Sequence, residues 1–545
     1  MPDIQNPILR GFNPDPSICR VGDDYYIATS TFEWYPGVQI HHSRDLQNWR
    51  LLTRPLRRAS QLDMRGDPDS CGIWAPCLTH DGEQFHLIYT DVKRYGRTSV
   101  GGAAGASLRD FHNYLVTAQT VDGDWSDPVY LNSSGFDPSL FHDEDGRKWL
   151  VNMLWDHRPG QNRFAGIVAQ EYSPREKSLI GERVNIFAGT PLGLTEAPHL
   201  YKRDGFYYLL TAEGGTAWNH AVTMARSKDL LGPYELHPDT YILSARNRPD
   251  APLQRAGHAD LVETQGSETY MVYLCGRPLK NRGRCILGRE TAIQKMQWRE
   301  GWLYTEGEPG LPQLFTPAPM LKAHPCPPAP ERDDFDTLVL PIDFQWLRTP
   351  QPETILSLTA RPGHLRLYGR ETVGSQFVQA LVARRQQAFC YSASTLMDFE
   401  PAHFQQAAGL VCYYGGTKFH YLHVTHDKIH GKHLRVMSAL PDAPVGDAFT
   451  PPIPLPPGPV ELRVEVDEER LRFAWRQPDQ AWQPLPQTFD ASILSDEAQT
   501  PGTPNFTGAF VGMACQDMAG TAAPADFDWF CYRERAFLAD PFASA

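Results

Sequence analysis

Pro14-Asp15-Pro16-Ser17-Ile18-Cys19-Arg20-Val21, followed by a turn at Gly22-Asp23-Asp24 and the run Tyr25-Tyr26-Ile27-Ala28, opens a pattern that the chain repeats. Its tripeptide has counterparts in Trp74-Ala75-Pro76, Phe136-Asp137-Pro138, Glu196-Ala197-Pro198 and His258-Ala259-Asp260, with third positions 60, 62, 60 and 62 residues apart. Self-similarity at a fixed period marks a repeat architecture. After each tripeptide come an apolar stretch, a turn, and an aromatic or branched run such as Phe85-His86-Leu87-Ile88-Tyr89, Trp149-Leu150-Val151 or Phe206-Tyr207-Tyr208-Leu209-Leu210. Runs of that composition between turn residues read as strands joined by hairpins. Outer strands are expected to follow near Ser43-Arg44-Asp45-Leu46 and Ser227-Lys228-Asp229-Leu230, which echo each other. About sixty residues hold four strands with their loops, and four-stranded sheets repeated around a channel make a β-propeller. Five repeats predict five blades. A β-sandwich with coincidental Pro turns would not keep so regular an interval.

A chain of 545 residues exceeds one ordinary core, so a second domain is expected. Prolines crowd between Pro309 and Pro330, a density that suits an extended connector. We therefore divide the chain into a propeller over 1–320 and a second domain over 321–545. Beyond the connector, Val460-Glu461-Leu462-Arg463-Val464-Glu465-Val466 alternates with period two, turns at Asp467-Glu468-Glu469 and returns through Arg470-Leu471-Arg472-Phe473-Ala474-Trp475. That is a hairpin with one wet face, and several such runs predict an antiparallel sandwich. The fold class is all-β, a five-bladed propeller followed by a β-sandwich.

With 51 basic and 64 acidic residues the net charge is −13, and no Lys/Arg-rich tract occurs, so no nucleic-acid partner is expected. No run approaches the roughly 20 apolar residues of a membrane span, and the start, Met1-Pro2-Asp3-Ile4, lacks a secretory pattern. A cytoplasmic chain with no membrane partner is the expectation. The ten cysteines are scattered without metal-type spacing, which favours reduced thiols over a disulfide framework.

The innermost strand of each propeller blade lines the central channel, so the strand starts form a ring around one mouth. That ring would hold Asp15, Trp74, Asp137, Glu196 and His258. Taken singly, each has a bland reading: Asp before Pro opens turns, Trp packs in cores, and a lone His is commonly structural. Three carboxylates sharing one mouth are different, because like charges in a partly desolvated site push pKa values apart and yield an acid and a base from one residue type. No convergent ligand set is visible in the sequence, so no metal and no cofactor are expected.

Gly11-Phe12-Asn13-Pro14-Asp15-Pro16-Ser17, Gly135-Phe136-Asp137-Pro138-Ser139 and Leu194-Thr195-Glu196-Ala197-Pro198-His199 resemble the three acidic motifs of family 43 of the glycoside hydrolases. The likeness continues through Gly257-His258-Ala259-Asp260, Leu287-Gly288-Arg289-Glu290-Thr291 and Phe506-Thr507-Gly508-Ala509-Phe510, and so is to the two-domain β-xylosidases of that family. The resemblance implies that Asp15 is the general base, Glu196 the general acid, and Asp137 the carboxylate that orients Glu196 and raises its pKa. It implies inversion, which leaves room for a water, the carboxyl groups standing roughly 6.5–9.5 Å apart. By the same likeness Arg289 holds sugar hydroxyls and balances the acids, Phe32, Trp74, Phe136 and Trp155 form aromatic walls, and Thr216 and His258 make polar contacts. Phe506 would close the pocket from the second domain, with Phe510 in the core. The implied activity is exo-acting release of xylose from the non-reducing end of β-1,4-linked xylooligosaccharides, with α-L-arabinofuranosidase activity the alternative. A non-catalytic glycan-binding propeller is a third reading. A homo-oligomer is also implied by the resemblance.

Overall fold

A computed structural model describes residues 3–95, 109–158, 160–280, 282–441, 448–499 and 504–535. Five four-stranded antiparallel sheets follow one another in the N-terminal part, and in each the strands run in sequence order across the sheet. Their innermost strands are Ser17–Val21, Gly72–His80, Ser139–His142, Glu196–Arg203 and Gln254–Glu263. These are the blades of a β-propeller. The second strands, packed between neighbouring blades, are apolar on both faces: every residue of Thr269–Gly276 is buried, whereas the outer strand Ser178–Phe187 is largely polar and exposed. Burial on two faces is why the inner strands lack clean alternation in the sequence.

The ring is closed by the start of the chain. Ile4–Gln5 pairs with Phe315–Thr316, Leu9 bridges to Thr291 in the last blade, and Asn6 Nδ2 donates to the carbonyl of Ile293 at 2.7 Å. The segments Ser43–Leu46 and Ser227–Leu230 are not outer strands as expected. They are turns after the third strands Gln39–Ser43 and Ala221–Ser227. Asp45 Oδ1 accepts from the backbone N–H of Gln47 and of Asn48 there, the usual turn role of Asp, and the same residue type gave them their resemblance to each other.

The C-terminal part is two stacked antiparallel sheets. The hairpin Val460–Asp467 with Arg470–Arg476 lies in one of them, with Leu462, Val464, Leu471 and Phe473 in the core. The other sheet ends on a strand that belongs to the propeller: Trp34–Tyr35 pairs with Gln345–Leu347 at its edge. Trp34 is fully buried and stacks on Phe510, ring centroids 3.7 Å apart. One hydrophobic cluster therefore runs from Phe12 and Phe32 of the first blade through Phe510 and Tyr413 of the sandwich. Buried cations reinforce it, with Arg385 Nε on the carbonyl of Phe12 at 2.7 Å and Arg348 Nη2 on Asp69 at 2.7 Å. Shared strands, core and ion pairs hold the two domains as one body and fix what each presents to the pocket between them.

Candidate active site

On its innermost strand or just before it, each blade carries a residue in the left-handed region: Asp15 at φ 56°, Ala75 at 37°, Asp137 at 53°, Ala197 at 52° and His258 at 49°. Non-glycine residues there are uncommon, with Asp and His enriched, and they cluster at functional sites. In the first four repeats the strained residue is the second of the tripeptide. In the fifth it is the first, so His258 stands in the place of Asp15 and that repeat is offset by one from its sequence alignment. The offset coincides with a register shift between Gly257 and Ala259, and similar shifts follow Trp74 and Glu196. Bulges of this kind re-aim side chains beside active sites. The ring thus alternates two solutions: Asp15, Asp137 and His258 are themselves the strained residue, whereas Trp74 and Glu196 precede a strained alanine.

All five line one cavity of about 390 Å³ at the propeller mouth. Asp15 is gripped on both oxygens, by Arg289 Nη1 at 3.0 Å on Oδ1 and by the Ser30 hydroxyl at 2.6 Å on Oδ2. Ser30 in turn accepts from the N–H of Ala75 at 2.7 Å. Asp137 Oδ2 accepts from the N–H of Ala197 at 3.1 Å. His258 Nδ1 stands 3.7 Å from Asp15 and 4.0 Å from Asp137. Burial, with the nearby Arg289 and His199 adding, pushes the His258 pKa down to about 4, so the imidazole between the two acids is neutral near pH 7. The Glu196 carboxyl is pushed up to about 8, first by burial and then by the charge of Asp15, with Glu213 adding and Arg289 opposing. Asp137 is raised well above the usual carboxylate range by burial, then by Glu196 and Asp15. The site therefore separates its acids: Asp15 sits on a guanidinium, and Glu196 keeps its proton at neutral pH. Burial and Asp15, rather than Asp137, lead in raising Glu196.

Aromatic rings make the walls. Trp74 packs against Phe32, Phe136 and Phe506 with centroids 5.7, 5.6 and 5.4 Å away, and all four line the cavity. Trp155 does not. It stands behind the wall, 6.4 Å from Phe136 and 5.5 Å from Phe164, and Phe164 has the place in the cavity expected of it. Thr216 also lines the cavity, its hydroxyl 3.5 Å from Arg289 Nη1.

Phe506 comes from the sandwich and is latched from three sides. Arg289 Nη2 donates to its carbonyl at 2.7 Å, Ser70 Oγ accepts from its N–H at 3.0 Å, and the next residue, Thr507, lies 3.2 Å from both oxygens of Glu33. Gly508 lets the loop pass over Phe12, since a Cβ at that position would come within 2.4 Å of the Phe12 Cβ. Phe510 is core, as expected.

Sequence reasoning missed Ser30, Tyr95, Phe164, Leu194, Glu213 and His220. Tyr95 and Phe164 fall at strand ends outside the repeating tripeptide, and Ser30 does not line the cavity itself but acts on it through Asp15. Glu213 carried a signal, an acid at the end of the apolar run Phe206–Glu213; its carboxylate accepts from the hydroxyls of Thr190 at 2.9 Å and Thr195 at 3.0 Å.

A convergent group was also missed: Asp81, His86 and His142 lie close enough together to hold a metal ion. The Lys148 ammonium reaches two of the three, 2.8 Å from Asp81 and 3.0 Å from His142, and His86 Nε2 lies 2.9 Å from the same Asp81 oxygen.

A buried acid, a cation-held carboxylate and an aromatic-walled cavity suit hydrolysis of a glycosidic bond. Comparison with known proteins agrees. Residues 4–303 match the model of the glycosyl hydrolases family 43, and residues 332–533 match the β-xylosidase C-terminal concanavalin A-like domain. The chain is 53% identical to a xylosidase/arabinosidase 43B of Humicola insolens, over 98% of both chains. It is 48% identical to a β-xylosidase of Bacillus subtilis, over 98% of this chain and 100% of that one. The crystal structure of a xylan β-1,4-xylosidase from Bacillus halodurans superposes with a TM-score of 0.93 at 52% identity, covering 97% of this chain and 100% of the other. By its fold, its acids and these matches, the chain belongs to family 43 of the glycoside hydrolases.

Proposed function

We propose that this protein is an inverting exo-β-1,4-xylosidase that removes xylose from the non-reducing end of xylooligosaccharides. The observation that carries the reading is the lining of the cavity: three acids in it, the rings of Phe32, Trp74, Phe136 and Phe164 around it, and Phe506 of the sandwich across one side. Such a space takes one terminal sugar and leaves the rest of the chain outside, which is exo action. The names borne by the relatives from Bacillus subtilis and Bacillus halodurans support the same substrate class.

The chemistry follows from the protonation states. Asp15, fixed by Arg289 and Ser30, takes a proton from a water as that water's oxygen attacks the anomeric carbon. The glycosidic bond breaks on the opposite face, and Glu196 gives its proton to the departing oxygen. One bond forms, one breaks, and Asp15 ends protonated with Glu196 ionised until solvent restores both. The rise in the Glu196 pKa serves this step, because an acid titrating near 8 is still loaded at neutral pH. Asp137, buried beside Glu196 and tied to the N–H of Ala197, helps to orient the acid.

Hydrolysis of xylobiose followed by NMR tests the reading. Early α-xylose, before mutarotation, is the expected result, and early β-xylose would make one carboxylate a nucleophile. Arabinofuranosides offer a similar hydroxyl pattern, and the Humicola relative is named for both activities. α-L-Arabinofuranosidase is accordingly the second activity to assay.

A further inference from the structure

We propose that Asp496, supplied by the sandwich domain, is a positioning residue for the reaction: it fixes Arg289 on the side away from Asp15, and Arg255 in turn fixes Asp496. The inference rests on the hydrolytic reading above.

The guanidinium of Arg289 has three donor edges. Nη1 serves Asp15 and Nη2 serves the carbonyl of Phe506. Nε is buried without a hydrogen-bond partner among the described residues, and the carboxylate that faces it is Asp496, 3.9 Å away. Asp496 is itself only 6% exposed and held firmly, Oδ1 by the Tyr414 hydroxyl at 2.7 Å and Oδ2 by Arg255 Nη2 at 2.8 Å. Arg255 spends its remaining donors on Glu497 at 2.8 Å and on the carbonyl of Thr216, a cavity residue, at 2.8 Å. On the sandwich side Lys418 donates to the carbonyl of Ser495 and to Asn505 Oδ1, both at 2.7 Å, and burial lowers its pKa to about 7.

Two buried arginines thus share one carboxylate. Removing its charge would leave Arg255 with Glu497 and Arg289 with Asp15 as their carboxylates, and taking an anion from between two buried guanidiniums in a desolvated site is unfavourable. Arg289 would then lose the contact on its Nε edge and turn toward whatever anion remains. The cost falls on Asp15, whose orientation Arg289 sets, and on the acid, because a less screened Arg289 favours the ionised form of Glu196. The sandwich therefore supplies more than a wall: through Asp496 it completes the charge balance of the catalytic floor.

Asp496→Asn and Glu497→Gln, each assayed on xylobiose with melting curves alongside, test this. For Asp496→Asn we expect kcat to fall by about tenfold or more with KM within about threefold, and the alkaline limb of the rate profile to move to lower pH. Glu497→Gln, which touches Arg255 but not Arg289, should lose a similar amount of melting temperature and leave the alkaline limb in place. Activity losses that simply track melting temperature in both variants, or an unmoved alkaline limb in Asp496→Asn, would overturn the proposal. If Asp496→Asn does not fold, Tyr414→Phe removes one hydrogen bond from Asp496 without changing charge, and a wild-type profile there counts against the proposal equally. A wild-type protein that does not release xylose sinks the functional reading instead.

Discussion

The two halves of the pocket were built by different means. The propeller half is periodic: a residue at φ between 37° and 56°, on each innermost strand or just before it, sets the acids and His258 around one mouth. The sandwich half is not periodic: two residues ten apart in the chain, Asp496 and Phe506, come onto the propeller's Arg289. The first half holds the reacting groups, whereas the second excludes water and balances charge. Removing a group from either half should therefore damage activity differently.

The largest effect belongs to the periodic half. Asp15→Asn removes the acceptor for the water's proton, and Glu196→Ala the donor to the leaving oxygen; each should lower kcat on xylobiose by about 10²–10⁴. The two should part company on an aryl xyloside whose leaving group needs no proton. There Glu196→Ala recovers much of its rate and Asp15→Asn does not. Equal loss on both substrates would remove the assignment of Glu196 as acid.

The sandwich half should give a smaller loss of another kind. Phe506→Ala opens the side of the cavity and deletes the ring that packs on Trp74 at 5.4 Å. About tenfold in kcat/KM is expected for a partly buried aromatic wall, shared between KM and kcat because water exclusion is also lost. A variant that hydrolyses xylobiose as the wild type does would show that the sandwich contributes no wall to the bound sugar.

The same contrast explains what could be read in advance. Repetition exposed Asp15, Asp137 and Glu196, because a carboxylate at a fixed place in a repeat stands out against its own copies. Trp155 misled for the converse reason: it ends the second strand of its blade, Lys148–Trp155, at a resembling position, but Phe164 on the adjacent strand reaches the cavity in front of it. Ser30, Arg255 and Asp496 were invisible because each acts through a partner outside its own local pattern, and nothing nearby in the sequence records that a serine at 30 meets an acid at 15 or that an aspartate at 496 faces an arginine at 289. The propeller-derived edge strand Trp34–Tyr35 escaped for a related reason. Two residues carry no periodicity, and their partner strand lies in the other domain.

The smallest effect concerns stability, and it asks whether the acid in the periodic half is held at a cost. Folding raises the Glu196 pKa from 4.5 to about 8, so between those values the folded protein binds more protons than the unfolded chain, and stability falls as pH rises. The contribution is fully present below about pH 4.5 and lost as pH passes through about 8. Glu33, on the Thr507 latch, and Glu213 are each pushed up to about 7, burial again the largest cause, and act with the same sign. Glu196→Gln keeps the shape of the protonated acid and cannot ionise, so it deletes one of these contributions and leaves the others. Its melting temperature should match the wild type at pH 5 and exceed it by about 1–3 °C at pH 8, in an otherwise inactive enzyme. Parallel melting curves across that range would mean that the folded protein does not hold the Glu196 proton, and the separation of acid from base would then have to arise only when sugar fills the pocket.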